Sequence, residues 1–428
     1  MKWPVYSSYK VTGADWLGSV PSHWTVGPLR VFARLESGHT PSRQHPEYWE
    51  HCVFPWFSLA DVWQIRENGT EVVTDTKEKV SQLGLANSAA RLLPAGTVML
   101  SRTASVGFAA IMGVPMATTQ DFANWVCGPE LRPKYLLNMF RAMQGEFERL
   151  RMGSTHQTIY MPDIQAFRGP IPPVVEQDAI VAFLDRETAK LDSLIAKQER
   201  LIGLYRERLL ALILGQFDSA NTRWMRLGYA ATPILRPVTQ KTGETYVPLG
   251  LYNRGRGLFH KQPRQMADMG DSDFFWVEEG DLLISGQFAW EGAVALAGSS
   301  EDGCVISHRY AALRGVSAIT CTEYLYALFL TSFGQFLLEE NSHGAAGRNR
   351  PLNVADLLKE KVPIPDEEVQ REAARLVHIG RRLGRTIARK AALVAEHRGA
   401  LISAAVTGKI DVRAHGDANL GTRASALA

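Results

Sequence analysis

Arg348, Asn349 and Arg350 stand in a row between Gly347 and Pro351. Guanidinium and carboxamide groups are the side chains that fork onto base edges in a DNA groove. A segment led by glycine and closed by proline presents them on a loop. Other donors sit in similar turns. In the first half of the chain they are Arg43 and Gln44 after Thr40-Pro41, then Arg102, Thr103 and Ser105 in the run Ser101 to Gly107, then Gln120, His156 and Gln157. In the second half they are Arg254, Arg256, Gln287, Trp290, His308 and Arg309. The plain alternative for each is a solvated loop or a satisfied turn, and those that meet phosphates would carry no sequence information. Trp16, Trp24, Trp49 and Trp56 read better as packing residues than as base-stacking ones.

Bond-making chemistry is missing from the same inventory. Gly408-Lys409 is followed by Ile410 and lacks the upstream glycine of a phosphate loop. There is no HExxH, no GxSxG and no Asn-Pro-Pro-aromatic tetrapeptide. No glycine-rich turn follows a strand as a cofactor-binding loop would. Asp163, Glu176 and Asp178 do not make a nuclease cluster, and no two histidines have helical metal-ligand spacing. Cys52, Cys127, Cys304 and Cys321 are scattered, which fits a reducing cytosol and neither disulfides nor structural zinc. No catalytic residue and no metal ligand is expected.

The elements that must position these loops repeat. Ile171-Pro172 matches Ile364-Pro365, Gln177 matches Gln370, Lys197 matches Lys390, Gly215 matches Gly408 and Asp218 matches Asp411, about 193 residues apart throughout. With drifting offsets, Gly96, Ser101, Gly107 and Gly113 match Gly280, Ser285, Gly292 and Gly298. Tyr135, Phe140, Gly145 and Phe147 match Tyr324, Phe329, Gly334 and Phe336. A unit with a globular part and a long helix is thus present twice, as suits a target with two half-sites.

Each long helix carries a 4-3 apolar register. In the first it runs through Val181, Leu184, Thr188, Leu191, Ile195, Gln198, Ile202, Tyr205, Leu209 and Leu212, between Glu176 and a C-cap at Gly215. In the second, from Glu367 to Val406, it runs through Val369, Ala373, Leu376, Leu383, Ile387, Val394 and Leu401. A seam of about 39 residues, roughly 60 Å long, needs a partner, and the duplicate helix is the obvious one. The second helix is strongly basic, with Arg371, Arg375, Arg381, Arg382, Arg385, Arg389, Lys390 and Arg398. That face is either solvated or turned to phosphates or an acidic protein. Val98 to Leu100 and Phe108 to Ile111 read as buried strands, and Pro133 to Arg151 as an amphipathic helix.

The expected fold class is α/β. Two globular domains stand in tandem repeat, separated by two long antiparallel coiled-coil helices. The segments are 1–170, 171–216, 217–362, 363–412 and a disordered tail at 413–428. At 428 residues, 46% hydrophobic and net charge +3, the chain can bury sizeable cores and is only mildly basic. Met1 to Lys10 lacks the apolar core of a signal peptide, and no apolar run is long enough to span a membrane. A cytoplasmic location is expected.

A family is recognisable in these residues. Tyr9-Lys10, Gly13, Trp16-Leu17-Gly18, Pro21 and His23-Trp24 resemble the N-terminal signature of specificity subunits of type I restriction-modification systems. So does Ile171 to Asp185, continuing through Thr188, Leu191-Asp192, Leu194-Ile195 and Lys197 into what looks like that family's central helix. Leu93 to Ser101 and Gly38 to Ser42 resemble recurring turns of its target-recognition domains. The second copy departs from the pattern, since Glu367 to Gln370 is looser and its helix is richer in Ala and Arg.

The resemblance covers nearly the whole chain. It implies two α/β target-recognition domains, each reading a few base pairs of a split double-stranded DNA site. It implies docking of two DNA methyltransferase subunits and of restriction and translocase subunits, and a role in phage defence. S-adenosylmethionine, ATP and Mg would then belong to the partners, with no cofactor in this chain. Two other readings stay open on the residues alone. One is a self-sufficient DNA methyltransferase, which the missing cofactor loop opposes. The other is a coiled-coil adaptor that binds no DNA, which the weak positive charge allows.

Overall fold

The computed structural model describes residues 3–152, 157–239, 243–270, 272–344 and 350–413. The chain forms two compact units, one from Met1–Leu194 with Ala391–Ala428 and the other from Ile195–Lys390. Each is a mixed α/β unit that includes part of each long helix.

The first unit is built on a five-stranded sheet. Its strands lie in the order Ala33–Ser37, Phe122–Cys127, Val98–Ser101, Ala109–Met112 and Val72–Val73. Val98–Ser101 and Ala109–Met112 are buried at every residue, because both sheet faces are covered. Val98, Leu100, Ala109 and Ile111 enter the larger core. Met99, Ala110 and Met112 point the other way, into a second core with Phe57 and Phe122. This is the two-residue period of a strand.

The helix expected from Pro133 to Arg151 is two pieces, Pro133–Ala142 and Gln144–Leu150, which meet at Met143 (φ −86°, ψ 10°). Leu136, Met139, Phe140, Met143 and Phe147 are all buried. Below them, Arg168–Ile171 pairs antiparallel with Thr25–Pro28 and delivers the chain to the central helix.

The second unit repeats this order on a four-stranded sheet: Ala231–Pro233, Tyr310–Gly315, Leu282–Ser285 and Val294–Leu296. Leu282, Ile284, Val294 and Leu296 share one core with the helices Thr322–Phe329 and Ser332–Glu340. Leu283, Ala297 and Ala312 share another. Lys361–Ile364 pairs antiparallel with Arg223–Arg226 and leads into the distal helix.

The central helix spans Val174–Leu214 and the distal helix Glu367–Val406. Every seam position named above, in both helices, is buried or half-buried. In the first unit, Leu184 shares a core with Leu401, and Arg398 donates to Asp192. In the second, Leu209 and Ile213 pack with Ala373, Leu376 and Val377, and Arg208 pairs with Glu372 at 3.1 Å.

The glycine caps differ. Gly408 takes the left-handed conformation expected past a helix end (φ 73°). Gly215 does not: its N–H still bonds Ala211 O at 3.0 Å, so the helical turn runs through it.

One repeat pairing also needs correcting. Phe147 is 1% exposed whereas Phe336 is 54% exposed, so the two do not occupy matching sites. Buried Leu338 is the counterpart of Phe147, in the register that sets Gln335 against Gln144. The shared Gly-x-Phe string is a coincidence two residues out of phase.

The first unit also holds both ends of the described chain together. Tyr9 Oη donates to Gly408 O at 3.0 Å, and Asp411 N–H donates to Pro4 O at 2.8 Å. Tyr6 Oη donates to the Glu176 carboxylate at the start of the central helix. His23 Nε2 meets the other oxygen of that carboxylate at 2.8 Å. Trp24 and Trp56 are buried and Trp16 and Trp49 half-buried, as packing residues would be.

Candidate nucleic-acid interface

In the first unit the strand ending at Ser101 runs into the loop to Gly107. Arg102 ties three loops together through its backbone. Its N–H donates to Asp121 O at 2.9 Å, and its carbonyl accepts from Ile159 N–H at 2.9 Å. Its side chain repeats the tie, with Nε donating to Gln120 O at 2.9 Å and Nη1 to Ile159 O at 3.5 Å. Ala104 sits in the left-handed region (φ 57°), where a non-glycine residue is uncommon, and its N–H donates to Gln157 O at 2.9 Å. Thr103 bridges to Thr158, and Thr40 Oγ1 donates to Gln120 Oε1 at 2.8 Å. Arg102, Thr103, Ser105, Gln120 and Gln157 are therefore brought together on one end of the sheet.

Arg43 stands apart from that group. Its guanidinium lies 3.6 Å from the centre of the Trp49 ring and pairs with Glu78. Neighbouring Gln44 is exposed. His156 lies outside the described residues.

The second unit builds the same frame with different side chains. Gly286, next after Ser285, takes the place of Arg102. Its N–H donates to Arg309 O at 2.6 Å and its carbonyl accepts from Leu352 N–H at 2.7 Å. This gathers Gln287, His308, Arg309 and the segment at Arg350. His308, Arg309 and Gln287 are exposed. Arg350 lies over the Trp290 ring at 5.3 Å. Arg348 and Asn349 lie outside the described residues. Arg254 and Arg256 are on the turn of the hairpin Leu249–Leu251 to Leu258–His260. Arg254 N–H donates to Glu291 O at 2.9 Å, which joins this turn to the Trp290 loop. Arg256 lies over Tyr252 at 5.3 Å and donates to Asn253 O at 3.1 Å.

Two glutamines support these loops and were not singled out from sequence. Gln144 Nε2 donates to Gly107 O at 3.2 Å, and Gln335 Nε2 donates to Trp290 O at 2.6 Å. In each case the loop passes at a left-handed glycine, Gly107 (φ 89°) or Gly292 (φ 71°). A Cβ on either would lie within 2.7 Å of the glutamine amide, so only glycine lets the loop approach so closely. Gln144 stands 37 residues after Gly107 and Gln335 43 after Gly292, so no constant spacing marked the pair in the sequence.

Burial pushes the Cys127 thiol up to about 12, far from a nucleophile's range. Among the described residues, no group of three or more His, Cys, Asp or Glu side chains could hold a metal ion. Arg382, Arg385 and Arg389 of the distal helix are exposed. Arg371, Arg375 and Arg398 reach Glu367, Glu372 and Asp192. No helix among the described residues is long and apolar enough to cross a membrane.

Each α/β unit gathers polar side chains onto one loop frame, half-buried apart from exposed Gln120 in the first unit and exposed at Gln287, His308, Arg309 and Arg350 in the second. Residues 21–202 match the model of the type I restriction modification DNA specificity domain. The specificity subunit of the type I restriction enzyme MjaIX from Methanocaldococcus jannaschii is 25% identical over 171 residues, 39% of this chain and 38% of the relative. That of EcoR124I/EcoR124II from Escherichia coli is 24% identical over 182 residues, 41% of this chain and 44% of the relative. The matched region thus spans about two fifths of those relatives' length. A chain solved in work on complex assembly and conformational transition of the type I R-M system superposes with TM-score 0.59 at 17% identity, over 91% of this chain and 99% of that one. That likeness is one of fold. Residues 21–202 are thus similar to a type I restriction modification DNA specificity domain.

Proposed function

We propose that this chain is the non-catalytic DNA-specificity subunit of a type I restriction-modification complex. Its first unit reads one half of a split double-stranded site and its second unit reads the other. The observation that carries this reading is the doubled loop frame. Arg102 and Gly286 make the same two backbone bonds, to Asp121 and Ile159 in one unit and to Arg309 and Leu352 in the other. The side chains hung on the two frames differ, as two different half-sites require.

The central and distal helices form an antiparallel spacer between the domains on this reading. Support comes from within the second unit. Arg208 meets Glu372 while Ile202 and Tyr205, earlier in the central helix, share a cavity wall with Gly380 and Arg385, later in the distal one. Exposed Leu201 and Leu204 on the central helix offer apolar surface to a partner helix. The partners are two methyltransferase subunits, with restriction subunits joining them. S-adenosylmethionine, ATP and Mg would be theirs.

The test is Arg350→Ala in the complex with the methyltransferase subunits. If Arg350 reads a base, the variant loses about 1–3 kcal/mol of discrimination at one half-site and none at the other. Weakening that is equal on all sequences would make Arg350 a phosphate contact. Unchanged binding and motif would remove it from the DNA.

A further inference from the structure

The second unit contains an open cavity of about 650 Å³ that none of the recognition residues alone accounts for. Its walls include Arg206 from the central helix, Arg254 from the hairpin turn, Trp290 and Glu291 from the loop, and Thr331 and Ser332 at the start of the helix Ser332–Glu340. Among the described residues, neither arginine side chain has a carboxylate partner. The wall also holds one carboxylate, Glu291, which accepts from the Asn253 side-chain amide and keeps its charge. Trp290 Nε1 is buried and has no acceptor. The helix start adds backbone N–H groups, while Thr331 Oγ1 accepts from Gly334 N–H at 3.1 Å and donates to Leu328 O at 2.6 Å. The cavity therefore sets two unpaired arginines and a free indole N–H against one carboxylate, which leaves it net positive.

Arg254 is also held in place at a cost. It occupies the left-handed region (φ 60°), which disfavours any residue with a Cβ. The bonds from Arg254 N–H to Glu291 O at 2.9 Å and from Gly255 N–H to Gly292 O at 2.8 Å keep it there. A turn that needed only to reverse the chain would use glycine or asparagine at that position. A strained arginine facing a donor-lined cavity, opposite a second free arginine, fits an anion with several acceptor oxygens.

We propose that this cavity seats one backbone phosphodiester of the DNA half-site that the second unit reads, with Arg206 and Arg254 as its ligands. The proposal rests on the specificity-subunit reading. The seat lies beside Trp290, whose ring carries Arg350, so the phosphate sets the register in which the loop meets the bases. It reads no sequence itself.

The experiment uses the full chain assembled with its methyltransferase subunits, on cognate duplex and on duplex with the second half-site scrambled, across a salt series. Arg206→Gln, and Arg254→Asn, which keeps a residue that tolerates the left-handed turn, should each reduce the slope of log K against log salt by about 0.9. Between 50 and 200 mM salt that is about a three- to fourfold smaller loss of affinity. Both duplexes should weaken by the same factor, and the methylated motif should stay the same. Arg206→Lys should keep the slope. A neutral methylphosphonate at one backbone position should weaken the wild type and have no further effect on Arg206→Gln. An unchanged slope in Arg206→Gln overturns the proposal, whatever the folding of the Arg254 variant. Looser association with the methyltransferase subunits at unchanged slope also overturns it, in favour of an acidic protein segment. If the wild-type complex itself shows no preference between the duplexes, the specificity reading is what fails.

Discussion

The side-chain amide of Gln370 does in the second unit what that of Gln177 does in the first. Gln177 Oε1 accepts from Arg132 N–H at 2.9 Å, and its Nε2 donates to Glu130 O at 2.8 Å and Pro172 O at 2.9 Å. Gln370 Oε1 accepts from Cys321 N–H at 2.9 Å, and its Nε2 donates to Ile319 O at 3.0 Å and Pro365 O at 2.9 Å. Each glutamine joins the entry of a long helix to the loop before the helix at Pro133 or Thr322. The tyrosines of those helices repeat a second bond: Tyr135 Oη donates to Pro170 O at 3.1 Å and Tyr324 Oη to Pro363 O at 2.7 Å.

Gln177→Ala or Gln370→Ala would leave three backbone groups without partners in a buried site. A loss of about 2–4 kcal/mol is expected from each, since every orphaned group costs roughly 1–3 kcal/mol before water relieves part of it. The loss should be local. Hydrogen exchange should quicken around Arg132 and Pro172 in the first variant, and around Cys321 and Pro365 in the second. Equal quickening in both regions from one substitution would contradict the local account.

Gln335→Ala should loosen the loop that carries Trp290 without reaching the first unit. The expected outcome is methylation at near-cognate sites that differ in one half-site only, with DNA affinity at the other half unchanged. Gln335→Glu should behave like the alanine variant, because a carboxylate cannot donate to Trp290 O. Motif sequencing checks both, and relaxation at both half-sites would refute the assignment.

Acid should weaken the first unit through Glu71. Burial works to raise its carboxyl, but Arg141 at 2.6 Å and Lys134 at 3.3 Å outweigh it and hold the carboxyl below the ordinary value. A depressed carboxyl adds stability above its unfolded pKa and loses it as pH falls through the folded one. The window therefore opens below about pH 4.3 and runs downward. Glu71→Gln should flatten this part of the stability curve in chemical denaturation between about pH 5 and 3, and an unchanged slope would show that the ion pairs do not persist.

The helix pair should act as a ruler. Four residues added beside Gly203, and four at the facing level near Gly380, lengthen both helices by ~6 Å. That equals about two base pairs, with a residual rotation of about 30° for DNA twist to absorb. The same half-sites should then be methylated with a gap about two base pairs longer and with weaker affinity. An active variant with the original gap would show that another element sets the spacing.

Much of this frame could be read from residue order. The long helices begin and end within two residues of the positions that Glu176, Leu214, Glu367 and Val406 suggest, because an apolar 4-3 register over forty residues has few alternatives. The strands at Val98 and Ala109 were legible for the same reason: they are buried on both faces and so continuously apolar. What side chains do at the loops was not legible. Arg43 and Arg102 are the same residue type in similar turns. One is stacked on Trp49 and paired with Glu78, and the other is spent on the carbonyls of Gln120 and Ile159. The partners of Arg102 are 18 and 57 residues away in sequence, and no local pattern encodes them. The match of Gln177 with Gln370 was visible, but its role required the carbonyls that only the folded chain brings near.

The most direct measurement is the methylated motif in cells that express this chain with its methyltransferase subunits. The account predicts a split motif, two short defined half-sites flanking a gap of fixed length and undefined sequence. It further predicts that replacing Gln287, Arg309 and Arg350 together with alanine changes one half-site and leaves the other half and the gap as they were. A continuous motif, or a change in both halves from those three substitutions, would contradict it.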